Sequence, residues 1–189
     1  RASGQMLEGA LIAGLNSAGV DVLLAGVIPT PGVAFLTRKL QLSAGVVISA
    51  SHNPIEDNGI KFFDGQGLKP PDEKEAEIER LIEQDDFPRP VAGEVGRVYS
   101  QGNALELYGE FLVGSLEEDL SGLRVVLDCG HGAAYQVAPM VLERLGAEVI
   151  VLNNRPNGAN INVDCGSTHP ELVQRVVLKE GANIGLSHD

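Results

Sequence analysis

Residues 45–61 read GVVISASHNPIEDNGIK, and the fold turns on how they are read. Gly45-Val46-Val47-Ile48-Ser49 is a short apolar run of strand length, and its lack of alternation predicts a strand buried on both faces. The run stops at Ser51-His52-Asn53-Pro54. Open α/β sheets bind ligands at the carboxyl ends of their strands, so a hydroxyl, an imidazole, an amide and a turn-forcing proline there predict an exposed polar loop on a rigid support. Asp57-Asn58-Gly59 is a second turn signal, and Ile60-Lys61-Phe62-Phe63 predicts a strand running back from the loop.

Upstream, Ser3 is placed to cap a helix in which Leu7, Leu11, Gly14, Leu15 and Ala18 recur at helical spacing up to Gly19. A strand is expected over residues 22–27. Pro29-Thr30-Pro31-Gly32 then turns the chain into a second helix, with Thr30 as N-cap and Pro31 in the first turn. Helix, strand, helix, strand implies parallel neighbours joined by right-handed crossovers. Downstream, Pro70-Pro71 enters a helix ending near Glu83, with Asp72 and Glu75 at capping-box spacing. Residues 84–102 read as a loop holding a short strand at most, and residues 104–116 as a helix through Leu105, Tyr108, Phe111 and Leu112. We place the boundary between two units at this helix, giving residues 1–103 and 104–189.

The second unit opens with a strand over residues 123–128 that breaks at Gly130-His131-Gly132. A third glycine of the dinucleotide fingerprint is missing, because Tyr135 stands in its place, so this is a tight strand-to-helix turn. A helix to Leu145 and a strand over residues 148–152 follow. Leu15, Gly19 and Val22 share their spacing with Leu142, Gly146 and Val149, which suggests one α/β unit used twice. Asn157-Gly158-Ala159-Asn160-Ile161-Asn162 is a polar loop whose amides can bond their own backbone. Thr168 and Glu171 have capping-box spacing before a helix ending near Gly181, and a last strand delivers Ser187-His188-Asp189.

Composition narrows the function classes. The 189 residues are 43% hydrophobic but only 4% aromatic, which suits a Val/Leu/Ile/Ala core of α/β type. A formal net charge of −12 argues against a sequence-independent grip on nucleic acid, which needs an excess of Lys and Arg. No apolar stretch reaches membrane-span length and no basic-then-apolar leader opens the chain, so a soluble, cytoplasmic protein is expected. Cys129 and Cys165 have no metal or redox spacing and are read as reduced, buried thiols.

Ser49-Ala50-Ser51-His52-Asn53-Pro54 followed by Asp57-Asn58-Gly59-Ile60-Lys61 resembles the active-site serine loop of the α-D-phosphohexomutases, most closely in the branch acting on glucosamine phosphates. Arg1-Ala2-Ser3-Gly4, the 157–162 loop and the closing Asp189 resemble further stretches of that family, so the resemblance covers nearly the whole chain. His131 departs from the family's Ala-Asn-Gly-like turn and is given no role. The resemblance implies two mixed α/β domains, helices layered on sheets, with a strand expected before Arg1 and the second domain continuing past Asp189. A first domain without that strand is expected to expose apolar surface.

It also implies a chemistry. Ser51 would carry the phosphoryl group, with Ser49 the competing hydroxyl nearer the strand. His52 and Lys61 are the groups able to move the sugar hydroxyl's proton or support the phosphate, and Arg1 would lie near the transferred phosphate. One Mg2+ would be held by the Ser51 phosphate and by Asp189, the first aspartate of an Asp-Gly-Asp-x-Asp-Arg loop. Glucosamine 6-phosphate and glucosamine 1-phosphate would interconvert through glucosamine 1,6-bisphosphate in a homodimer binding neither nucleic acid nor membrane. The 189 residues alone are expected to be inactive. Competing readings are a phosphoglucose or phosphomannose mutase, an inert interaction fragment, and a hydrolase pairing Ser51 with His52. The last is disfavoured because adjacent side chains on an extended segment point to opposite faces.

Overall fold

The computed structural model describes residues 1–84 and 87–189. Helical periodicity and the residues that end it set the order: α1 (Gly4–Ser17), β1 (Val22–Leu24), α2 (Thr30–Lys39), β2 (Ala44–Ile48), β3 (Ile60–Asp64), α3 (Asp72–Ile82), β4 (Val98–Ser100), α4 (Ala104–Gly114), β5 (Arg124–Asp128), α5 (Val137–Arg144), β6 (Glu148–Leu152), α6 (Glu171–Glu180) and β7 (Ile184–Ser187). This is the expected mixed α/β architecture. Residues 85 and 86 of the expected 84–102 loop lie outside the described residues, and the rest of it holds a short 3-10 turn, Ala92–Glu94, and β4. Among the described residues no helix is long and apolar enough to cross a membrane.

Four helices end alike. The amide of Val20 reaches Leu15 O (3.0 Å), Leu42 reaches Thr37 O (2.9 Å), Ala147 reaches Leu142 O (3.0 Å) and Ala182 reaches Val177 O (3.0 Å). Each closure spans one left-handed residue, Gly19, Gln41, Gly146 or Gly181. This six-to-one bond satisfies carbonyls that a helix end leaves open and aims the chain back at the sheet. The spacing shared by Leu15-Gly19 and Leu142-Gly146 is therefore a shared helix exit.

Strand pairing departs from expectation. β1 does not pair with β2: its parallel neighbour is β4, with Val22 opposite Val98 and Leu24 opposite Ser100. The partner is fixed from outside the strand, where Asp21 Oδ1 accepts from Arg97 N at 2.7 Å. β1 also stops at Leu24 rather than reaching residue 27, because Gly26 turns left-handed. β2 is not buried on both faces; only Gly45 and Val47 are buried, and its ladder partner is the antiparallel β3. Ile60 and Phe62 on β3 stay 40% and 41% exposed. In the second unit β5 lies between β6 and β7, all parallel, and Val125 through Asp128 are buried.

The expected caps do not form. Ser3 occupies the N-cap position of α1, but its hydroxyl accepts from Asn58 Nδ2 (3.0 Å) instead of a helix amide. Pro29, not Thr30, precedes the first turn of α2. The Asp72 and Glu75 carboxylates face Lys69 Nζ, at 3.6 and 3.0 Å, and Pro71 takes the N-cap position. Pro170 takes the N-cap position of α6, with no bond from Thr168. A continuous core of Ile28, Leu36, Ala104, Tyr108 and Val137 joins α2, α4 and α5, and Phe35 stacks on Phe111 with ring centroids 4.4 Å apart. Cys129 and Cys165 are free and buried; burial, reinforced by the Asp128 charge, pushes the Cys129 thiol up to about 11.

Candidate active site

The loop after β2 and the end of β7 meet. Ser51 Oγ donates to Asp189 Oδ2 at 2.6 Å, joining residues 138 positions apart. His52 Nδ1 stands 3.5 Å from Ser51 Oγ and 3.7 Å from Asp189 Oδ2. Ser51 itself is left-handed, φ 51°, so the segment is not extended and the argument separating Ser51 from His52 fails. The geometry still does not make a hydrolase relay. Such a relay sets the imidazole between hydroxyl and carboxylate through its two different nitrogens, whereas here one nitrogen faces both and the serine proton already lies toward Asp189.

Ser49 is occupied elsewhere: its hydroxyl accepts from Ser51 N at 3.2 Å and supports the turn. Arg1 grips the loop from below. Its Nη2 donates to Ser51 O (2.8 Å) and Asn53 O (3.0 Å), and its Nη1 to Pro54 O. The loop closes on itself through Asn53 N to Ala50 O (3.1 Å) and Asn53 Nδ2 to Asp57 Oδ2 (3.1 Å). Lys61 lies on β3 opposite Val47 and, among the described residues, makes no ion pair or side-chain hydrogen bond.

Sequence reasoning assigned no role to two residues here, Asn162 having been noted only within its loop. Asp128, at the end of β5, is wholly buried, and its carboxylate accepts from Gly130 N (2.8 Å), Asn153 Nδ2 (3.0 Å) and Gly166 N (3.0 Å). Asn162 donates to Ser51 O at 3.3 Å. An acid closing an apolar strand was the available signal for Asp128, since a buried carboxylate must collect donors. Non-glycine left-handed residues gather at this end of the molecule: Ser51, His131, Asn153, Asn162 and Asp164 all follow strands β2, β5 or β6. Such backbone states concentrate where geometry is held for function. An open cleft of about 400 Å³ lies between the serine loop and residues 161–169, lined by His52, Asn53, Ile55, Asn162 and His169 among others.

A divalent cation fits this chemistry in part. Ser51 Oγ and Asp189 Oδ2 are hard oxygen donors converging on one exposed point. Among the described residues no three His, Cys, Asp or Glu side chains form a metal group.

Residues 1–89 match phosphoglucomutase/phosphomannomutase alpha/beta/alpha domain I, and residues 106–189 match domain II of the same family. The chain belongs to the phosphoglucomutase/phosphomannomutase family, of which it carries these two domains. Among curated relatives it is similar to the phosphoglucosamine mutases of Pelotomaculum thermopropionicum, 59% identical over 191 aligned residues, and Desulforamulus reducens, 56% identical over 191. Each alignment covers the whole of this chain and 43% of the relative, so the chain spans less than half the relatives' length. A crystal structure of a phosphoglucomutase/phosphomannomutase family protein from Burkholderia thailandensis superposes with a TM-score of 0.80 at 30% identity, covering 99% of this chain and 42% of that one.

Proposed function

We propose that the intact protein interconverts glucosamine 6-phosphate and glucosamine 1-phosphate, with Ser51 as the phosphoryl carrier. The observation that carries this reading is the 2.6 Å bond between Ser51 Oγ and Asp189, which brings the serine motif of one half to the acidic end of the other. Support also comes from the 56–59% identity to phosphoglucosamine mutases. In this reading the two units divide at 103/104.

Phosphorylated Ser51 would carry roughly −1.5 to −2 charges. Transfer then requires in-line placement and dispersal of charge more than new covalent machinery. The P–Oγ bond of Ser51 breaks as a P–O bond forms to the free hydroxyl of the sugar, whose proton passes to His52 or Lys61. The resulting glucosamine 1,6-bisphosphate reorients, its other phosphoryl group returns to Ser51 Oγ, and the proton returns to the sugar oxygen left behind. Arg1, bonded to three carbonyls, holds the loop's shape and sets a positive charge beneath the carrier. Mg2+ would be held by the Ser51 phosphate and Asp189, where it supplies charge neutralisation. A cytoplasmic homodimer acting on phosphorylated hexosamine, without nucleic acid or membrane, completes the reading; the net charge of −12 agrees with it.

Replacing Ser51→Ala in the intact protein should lower turnover at least about 10³-fold, as loss of a covalent carrier does. Intact-mass analysis after incubation with labelled bisphosphate should place label on the peptide carrying Ser51 in the wild type only. Near-normal turnover by the variant would end the carrier assignment, and faster turnover of glucose or mannose phosphates would reassign the sugar.

A further inference from the structure

We propose that Asn162 is a positioning residue for Ser51, the latch through which the second unit sets where the serine hydroxyl points. Its catalytic consequence rests on the mutase reading above; its mechanical part does not.

The Ser51 carbonyl has two lone pairs, and both are used. Arg1 Nη2 of the same unit takes one at 2.8 Å and Asn162 Nδ2 of the other unit takes the second at 3.3 Å. The amide orientation follows from this acceptor, because the reversed amide would set two oxygens against each other. Away from the connector at residues 101–107, three hydrogen bonds join the units among the described residues. They are Ala2 N to Gly158 O (2.8 Å), Asn162 to Ser51 O, and Ser51 Oγ to Asp189. Two of the three act on Ser51.

Asn162 is itself held. Its backbone is left-handed, φ 58°, and its amide donates to Gly130 O at 3.0 Å. Its Oδ1 lies against two glycines: a Cβ on Gly166 would stand 3.0 Å away and one on Gly130 3.3 Å away. The amides of those same glycines are the ones that Asp128 collects, at 3.0 and 2.8 Å. Asp128 also fixes the other partner of Ser51, since its carbonyl accepts from His188 N at 2.9 Å, one residue before Asp189. Both groups that touch Ser51 from the second unit therefore hang from one buried residue of β5. Asn162 restrains the carbonyl, Asp189 meets the hydroxyl, and the residue between them cannot swing about its own backbone.

The test compares wild type, Asn162→Gly and Asn162→Asp in the intact protein. Glycine keeps the left-handed backbone and removes the side chain; aspartate keeps the shape and replaces the donor by an acceptor. Loss of one net hydrogen bond should speed amide exchange across residues 50–57 by about 3–10-fold in both variants, with β5 exchange unchanged. With glucosamine 1-phosphate as substrate and its 1,6-bisphosphate as activator, kcat should fall about tenfold in Asn162→Gly and further in Asn162→Asp, with KM within about twofold of wild type. Loop exchange as slow in both variants as in wild type overturns the latch. A raised KM at unchanged kcat overturns it too, by making Asn162 a substrate contact. Should Asn162→Gly also loosen β5, Asn162→Asp carries the comparison. If wild-type Ser51 never takes up phosphate, the mutase reading fails while the exchange contrast still decides the latch.

Discussion

The two units support their loops differently. In the second, β5 has a parallel neighbour on each side, and Val126, Leu127 and Asp128 are 0% exposed. In the first, the ladders fall into two pairs, β1 with β4 and β2 with β3, and neither α1 nor α3 buries a residue. The serine loop thus springs from a two-stranded edge, and the strand end that meets it, at Asp189, from beside the centre of a sheet. A strand bonded on both sides and covered by helices gives fixed geometry, whereas a two-stranded ribbon gives little by itself. The first unit borrows definition at Ser51 from the second.

The largest test of this contrast is a pair of truncations. Leu127→Ala in β5 removes a fully buried side chain and should lower stability by about 3–5 kcal/mol. Val47→Ala in β2 should lose about 1–2 kcal/mol. Denaturant melts of both measure the gap, and equal losses would erase the distinction between the two supports. Next in size, hydrogen exchange should find the amides of β5 about 100-fold slower than those of β2, in keeping with opening free energies that differ across a structure. The reverse order would place the rigid half at the serine loop. The smallest effect concerns Cys129. Its thiol is pushed up to about 11 when folded and loses its proton nearer 9.0 when unfolded. Between those values the folded chain binds more protons, so stability is whole below pH 9 and declines as pH rises toward 11. Melts of wild type and Cys129→Ala across that range should converge as the pH rises.

Local signals were legible. β6 spans the expected residues 148–152, and α6 stops at the expected Gly181, because length, periodicity and a left-handed glycine are written in adjacent residues. The exit of α2 was hidden because Gln41 takes the left-handed place that glycine takes elsewhere. Pairing was less legible: β1 chooses a partner 76 positions away, and nothing near Val22 names Val98. The caps misled for a related reason. Ser3, Asp72 and Glu75 have capping chemistry, but Asn58, brought near by folding, and Lys69, a neighbour in sequence, offered competing partners. At the site, Ser51, His52 and Asp189 were found through their motifs and do converge. Lys61 was grouped with them through the Asn-Gly-x-Lys motif; it lies on β3, and among the described residues no hydrogen bond ties it to them. Asn162 and Asp128 act through geometry that only the assembled loops possess.

Ser51 stands in a backbone state that glycine adopts without strain and other residues adopt at a cost of roughly 1–2 kcal/mol. Selection for easy folding alone would erase the hydroxyl at this place. Holding a serine there calls for neighbours that pin the turn, and Arg1, Ser49 and Asn162 each bond the Ser51 backbone. A glycine here would relax the turn and, on the proposed reading, remove the oxygen on which phosphate rides.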